Sequence, residues 1–245
     1  MNALPRPAPP TQTVADTAPA LLRLLWLASP ALPVGGFSYS EGLESAVDAG
    51  VAADEPRVAA WLDDQLALGL ARGDLAIAGA AIAAWGGDDD DTIQRLNDWV
   101  LHSRETAEGR LQAEQMGRSL ADWLRQRAEG DPPALARCAR LAALAPAPTW
   151  PIAFALAAAH SGAAPRDALL AMGFAWAENQ VQAAIKAVPL GQSAGQRILQ
   201  RLAAALPAAV DEALARGEAG AMAFTPRLAI LSSRHETQYS RLFRS

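Results

Sequence analysis

The chain has 245 residues, 51% of them hydrophobic, and carries a net charge of −5 at neutral pH. A chain of this length buries one sizeable core or two small ones. Its acidic balance argues against a nucleic-acid binder, which needs a broad basic face. Cys138 is the single cysteine, which excludes both an internal disulfide framework and a thiolate metal cluster.

Alanine dominates while Val, Ile and Tyr are sparse, and that balance favours helix because Ala loses no side-chain entropy on entering one. Residues 1–16 are rich in Pro and small polar residues and read as a disordered leader, without the apolar core of a secretion signal. A first helix is expected from near Thr17, with Pro19 in its first turn, through LLRLLWLA. Pro30 and Pro33 stop it, and Gly35-Gly36 permit a sharp reversal. Ser38 then opens S-Y-S-E, a capping box in which Glu41 reaches back to the Ser38 backbone N–H, and a short helix runs to Gly50.

Pro56 starts a helix that breaks near Gly73, Asp74 is placed to cap the next, and Gly86-Gly87 end it. The last of the aspartates Asp88 to Asp91 should cap a long helix from Ile93 to about Ala128, with Gly109 and Gly117 as points of interruption or close contact. Pro132-Pro133 begin another, and Pro146 to Pro151 separate it from IAFALAAAHSGA. Pro165 opens a long amphipathic run closed by Pro189, and a last long helix spans about Gln192 to Arg216. No useful β-alternation appears, no fixed-period repeat is present, and no uncharged run reaches the roughly 20 residues that span a bilayer. The expected architecture is all-α: a leader over 1–16, one compact domain of about ten helices over 17–226, and a basic, aromatic tail over 227–245. A soluble, cytoplasmic protein follows.

Several chemistries can be set aside. PLGQSAGQR has two glycines four apart but lacks the Lys-Ser/Thr ending of a phosphate loop, and no strand precedes it. GGFSYS lacks the second glycine and the strand-to-helix turn of a nucleophile elbow. His102, His160 and His235 are far apart, and HETQY lacks the second His of a zinc-protease helix, so no closed transition-metal site assembles. Glu41, Glu44 and His235 offer at most weak, transient coordination. Glu41 and Glu44 lie three apart on one helix face, with the capping role competing for Glu41 and plain solvation for Glu44. In the tail, Arg227, Arg234, Arg241 and Arg244 interleave with Tyr239, Leu242 and Phe243, residue types that anchor interfaces. Docking to a partner is expected over burial of Phe243 in the protein's own core.

Three ordered segments carry a resemblance: LASPALPVGGFSYSEGLE, then AWAENQVQAAIKAVPLGQSAGQRIL, which holds the only lysine, Lys186, and finally HETQYSRLFRS. RETAEGRLQAEQMGRSL lies between the first two. From Leu21 to Ser245 the chain resembles the urease accessory protein UreF family, with Glu41 standing where that family often has Gln and Gly36 where it often has Ala. The resemblance implies an all-helical, usually dimeric protein without catalytic activity of its own, and the residues themselves supply no cofactor or metal site. It also implies an adaptor in nickel insertion, binding a UreD/UreH-type protein and a UreG-type GTPase and acting on urease apoprotein, with a tail ordered by the UreD-type partner. An alternative is a GTPase-activating protein with Arg241 or Arg244 as its arginine. The partner-binding residues then fall on the three motifs: Gly35, Gly36, Phe37, Ser38, Tyr39, Glu41 and Glu44; Lys186 and Gln192; and His235, Tyr239, Arg241, Phe243 and Arg244.

Overall fold

A computed structural model describes residues 14–245. The described residues form eleven α-helices and no strand. Their order is α1 (Val14–Leu27), α2 (Leu43–Asp48), α3 (Glu55–Asp64), α4 (Asp74–Gly86), α5 (Asp90–Ser103), α6 (Ala107–Arg127), α7 (Pro132–Ala142), α8 (Trp150–Ser161), α9 (Pro165–Ala187), α10 (Gln192–Arg216) and α11 (Pro226–His235). A 3-10 turn, Gly36–Ser38, follows α1, and a π segment, Gln65–Leu70, joins α3 to the loop before α4. The all-α expectation holds. The leader lies mostly outside the described residues; α1 opens at Val14, so Pro19 sits inside the helix rather than at its start.

Composition decides which helices are central. α4 and α8 are apolar on every side (IAGAAIAAW, IAFALAAA), and such helices can only lie inside. α8 is wedged between α4 and α6, while α9 and α10 pack along each other and close over α4. The alanines let backbones approach, and the larger residues lock the layers: fully buried Trp85 on α4 donates its indole N–H to Ile152 O on α8 at 3.2 Å. The stretch from Glu55 to Gly86 is apolar enough, by length and composition alone, to cross a membrane, yet it supplies the centre of this packing. Many charged residues pair on outer faces, as where Arg197 on α10 pairs with Glu55 on α3.

Helix starts follow ordinary capping chemistry. Side chains of Asp54, Asp89, Thr106 and Asp131 each accept the backbone N–H three residues on. Two expectations are corrected here. Asp89, not Asp91, caps α5. Asp74 makes no capping bond; it takes both oxygens to Arg104 Nη2 at 2.7 Å. The single helix expected over 93–128 is two: Arg104 turns extended after Ser103, and Thr106 restarts the chain as α6. Gly117 is a contact point, since a Cβ there would lie 2.1 Å from Pro148 O. The opposed loop is held by fully buried Asn97 on α5, which donates to Ala147 O and accepts from Thr149 N.

Candidate docking site

The first motif folds as a tight reversal on the outside of α6 and α9. Gly35, at φ +74°, starts the 3-10 turn and leaves Phe37 exposed. Tyr39 then runs extended and buried; its hydroxyl donates to Gln115 of α6, and Asn179 of α9 donates to its carbonyl at 3.3 Å. Glu41 and Gly42 are consecutive left-handed residues, at φ 52° and 77°, and they swing the chain into α2. Glycine at 42 suits that positive φ, and a Cβ there would also displace Leu228 Cδ1 of α11, 2.7 Å away.

The capping box is therefore corrected. Ser38 lies inside the 3-10 turn, and it is Ser40 whose Oγ accepts the Glu44 N–H, at 3.3 Å. Glu41 turns away from Ser38 to accept from Trp176 Nε1 of α9 at 2.8 Å and Gln112 Nε2 of α6 at 2.7 Å. Its left-handed backbone explains the failure, since a capping-box glutamate must already be helical.

Around this reversal the last ten residues are fastened by the chain's own groups. Ser40 donates to Ser245 O through both its backbone N–H (2.9 Å) and its hydroxyl (2.6 Å), and Arg244 N donates to Ser38 O at 2.8 Å. Ser245 Oγ donates to Gln112 Oε1 at 2.8 Å. Beneath them Glu44, expected to be solvated, is only 5% exposed. Its carboxylate accepts the backbone N–H groups of Leu242 (2.7 Å) and Phe243 (3.0 Å). Its Oε2 also faces Nε2 of fully buried His235 at 3.1 Å.

The other ring nitrogen, Nδ1, meets Glu108 Oε2 at 2.6 Å, and Glu108 Oε1 pairs with Arg241. This geometry does not suit a metal. The His235 nitrogens diverge toward separate carboxylates, Glu41 points elsewhere, and no group of three or more metal-type ligands occurs among the described residues.

The expected partner residues thus separate into two kinds. Phe243 is corrected: at 6% exposure it is part of the main apolar core, with Lys186 Nζ 5.9 Å above its ring. Tyr39, Glu44 and His235 are likewise interior, and Gly36 lies against Met116 and Asn179. Exposed are Phe37, Lys186, Tyr239, Arg241, Leu242 and Arg244, while Gly35, Ser38 and Glu41 are half-buried. Gln192, exposed at the start of α10, shares no hydrogen bond with them among the described residues. The stretch RETAEGRLQAEQ, residues 104–115, is heavily charged, and its sequence alone assigns it no role. Glu108, Gln112 and Gln115 are spaced four and three apart, which places them on one face of α6, and that face seats both motifs.

Beside the reversal is a cavity of about 280 Å³, walled by Glu41, Trp176, Met116, the Asp74–Arg104 pair and Ser245. Burial pushes the Glu41 carboxyl above its usual range, against the lowering pull of Trp176 and Gln112. Arg104 shows the reverse balance: burial opposes its charge, but Asp74 outweighs burial and holds the guanidinium above its ordinary value.

The family model described as UreF matches residues 52–203. A urease accessory protein UreF of Paracidovorax citrulli (strain AAC00-1) is 62% identical over 253 residues, covering all of both chains. The chain belongs to the UreF family. A second UreF, from Methylibium petroleiphilum, is also 62% identical, over 98% of each chain. In Bordetella bronchiseptica a bifunctional urease accessory protein UreEF is 49% identical over 92% of this chain and 52% of its own length. Membership places the chain among urease accessory proteins, with a role in urease maturation.

Proposed function

We propose that this chain is the helical adaptor of nickel-urease maturation, working in the cytoplasm as a homodimer. It bridges a UreD/UreH-type protein and a UreG-type GTPase so that nickel enters urease apoprotein. UreF membership supports the pathway; one structural observation supports the adaptor reading. The tail and the 35–44 reversal are rigidly fastened through backbone and buried groups, while Phe37, Tyr239, Leu242 and Arg244 are left facing solvent. Exposed aromatics and guanidiniums on a fixed backbone have the make-up of interface anchors, because little ordering entropy remains to oppose association.

Co-expression with the UreD- and UreG-type proteins tests this. Tyr239→Ala and Arg244→Ala should each weaken capture of the partners about tenfold or more, with helical content unchanged by circular dichroism. Full capture by both variants would remove the proposal.

A GTPase-activating role is the second reading, and the structure narrows its candidate. Arg241 is committed to Glu108, whereas the Arg244 side chain is exposed and has no ion-pair partner among the described residues. Single-turnover GTP hydrolysis by the cognate GTPase, with wild type and Arg244→Ala, separates activation from bridging alone.

A further inference from the structure

Glu44 sits where the tail, α2, α6 and α11 meet, and nothing about its position lets it touch a partner. Its side chain is 6% exposed. A carboxylate so enclosed persists only when its oxygens are met by donors, and here two backbone N–H groups converge, Leu242 N and Phe243 N, with His235 Nε2 beside Oε2 at 3.1 Å. The two amides belong to neighbouring residues whose side chains go opposite ways. Phe243 is driven into the core while Leu242 stands 69% exposed. Fixing both amides on one carboxylate fixes which side chain faces in and which faces out.

We propose that Glu44 is a positioning residue for the docking surface. It sets the conformation of residues 239–245 so that Tyr239, Leu242 and Arg244 are displayed together, and it never meets the partner itself. His235 and Glu108 act behind it: the ring braces Glu44 from α11, and Glu108 braces the ring from α6 while holding Arg241. The second fastening, Ser245 through Gln112 to Glu41, secures the end of the same segment but leaves residues 242 and 243 untouched. The display role rests on the adaptor reading; the seating role does not.

Hydrogen–deuterium exchange on the full chain, alone and bound to the UreD-type protein, reads the seating directly. In Glu44→Ala the amides of residues 242–245 should exchange about tenfold faster or more, the scale expected for losing charge-assisted hydrogen bonds. Amides of α4 and α8 should keep wild-type protection. The isosteric Glu44→Gln retains one acceptor oxygen and should fall between, which preserves the test where the alanine variant fails to fold. Unchanged tail protection in Glu44→Gln, or protection lost evenly throughout the core, overturns the proposal. Partner capture then reads the display. Glu44→Gln should weaken capture through the dissociation rate, and combining it with Tyr239→Ala should cost less than the product of the two single losses, because both act through one surface. Multiplying losses would overturn the display role. Wild-type capture by Tyr239→Ala and Arg244→Ala, beside altered tail exchange in Glu44→Gln, would sink the adaptor reading alone.

Discussion

Glu41 is a carboxylate held in a backbone conformation that side chains seldom adopt, beside a cavity and next to a glycine that shares its handedness. Desolvation raises its pKa, so the folded chain binds that proton more tightly than the unfolded chain does. Stability associated with this group is therefore greatest at acid pH and declines as pH rises out of the carboxylate range. Glu41→Gln removes the buried charge. The stability difference in favour of the variant should grow from about pH 4.5 toward neutrality, measured by thermal melts across that range; a difference that shrinks would contradict the assigned direction. Sequence alone could not reach this result. S-Y-S-E satisfies the spacing of a capping box, and only the left-handed φ at residues 41 and 42 reveals that the helix starts later and that Glu41 belongs to α6 and α9.

At the scale of elements, α6 does more than its charged composition suggests. One face seats the reversal and the tail through Glu108, Gln112 and Gln115, while its opposite side presses Gly117 onto the 146–149 connection. A methyl group at 117 would overlap backbone rather than a yielding side chain. Gly117→Ala should thus cost at least about 1–3 kcal/mol, read as a lowered denaturation midpoint with unchanged slope. The starts of α3, α7 and α9 were legible because a Pro stands in the first turn of each, and the bounds of α9 and α10 match expectation. The break at 104–106 was not legible, since no Gly or Pro stands there to announce it. Helix α11 was missed for a related reason, being short and lying within a segment read as tail by its charge and aromatics.

For the whole molecule, the apolar core runs without interruption from α1 to Phe243. Phe154 on α8 lies at its middle, fully buried between flanking helices. Truncating it to Ala should destabilise the fold by about 3–5 kcal/mol, with partner capture and thermal stability lost together. Tyr239→Ala should separate the two, since its side chain is fully exposed. The overall plan was readable because all-apolar helices must be central and amphipathic ones peripheral. The division of the three motifs into interior and surface residues was not, because Phe243 and Leu242 are adjacent and chemically alike.

The bond between Ser40 and Ser245 joins residues 205 positions apart. On the ribosome, Glu44 and Glu108 will have emerged long before their donors from α11 and the final segment are synthesised. Until then two carboxylates destined for burial must stay hydrated, and the α2 region cannot close over them. Nascent chains arrested ahead of residue 235 should therefore present an open, protease-sensitive α2 beside an already compact α4–α8 centre, and emergence of residues 235–245 should shut it.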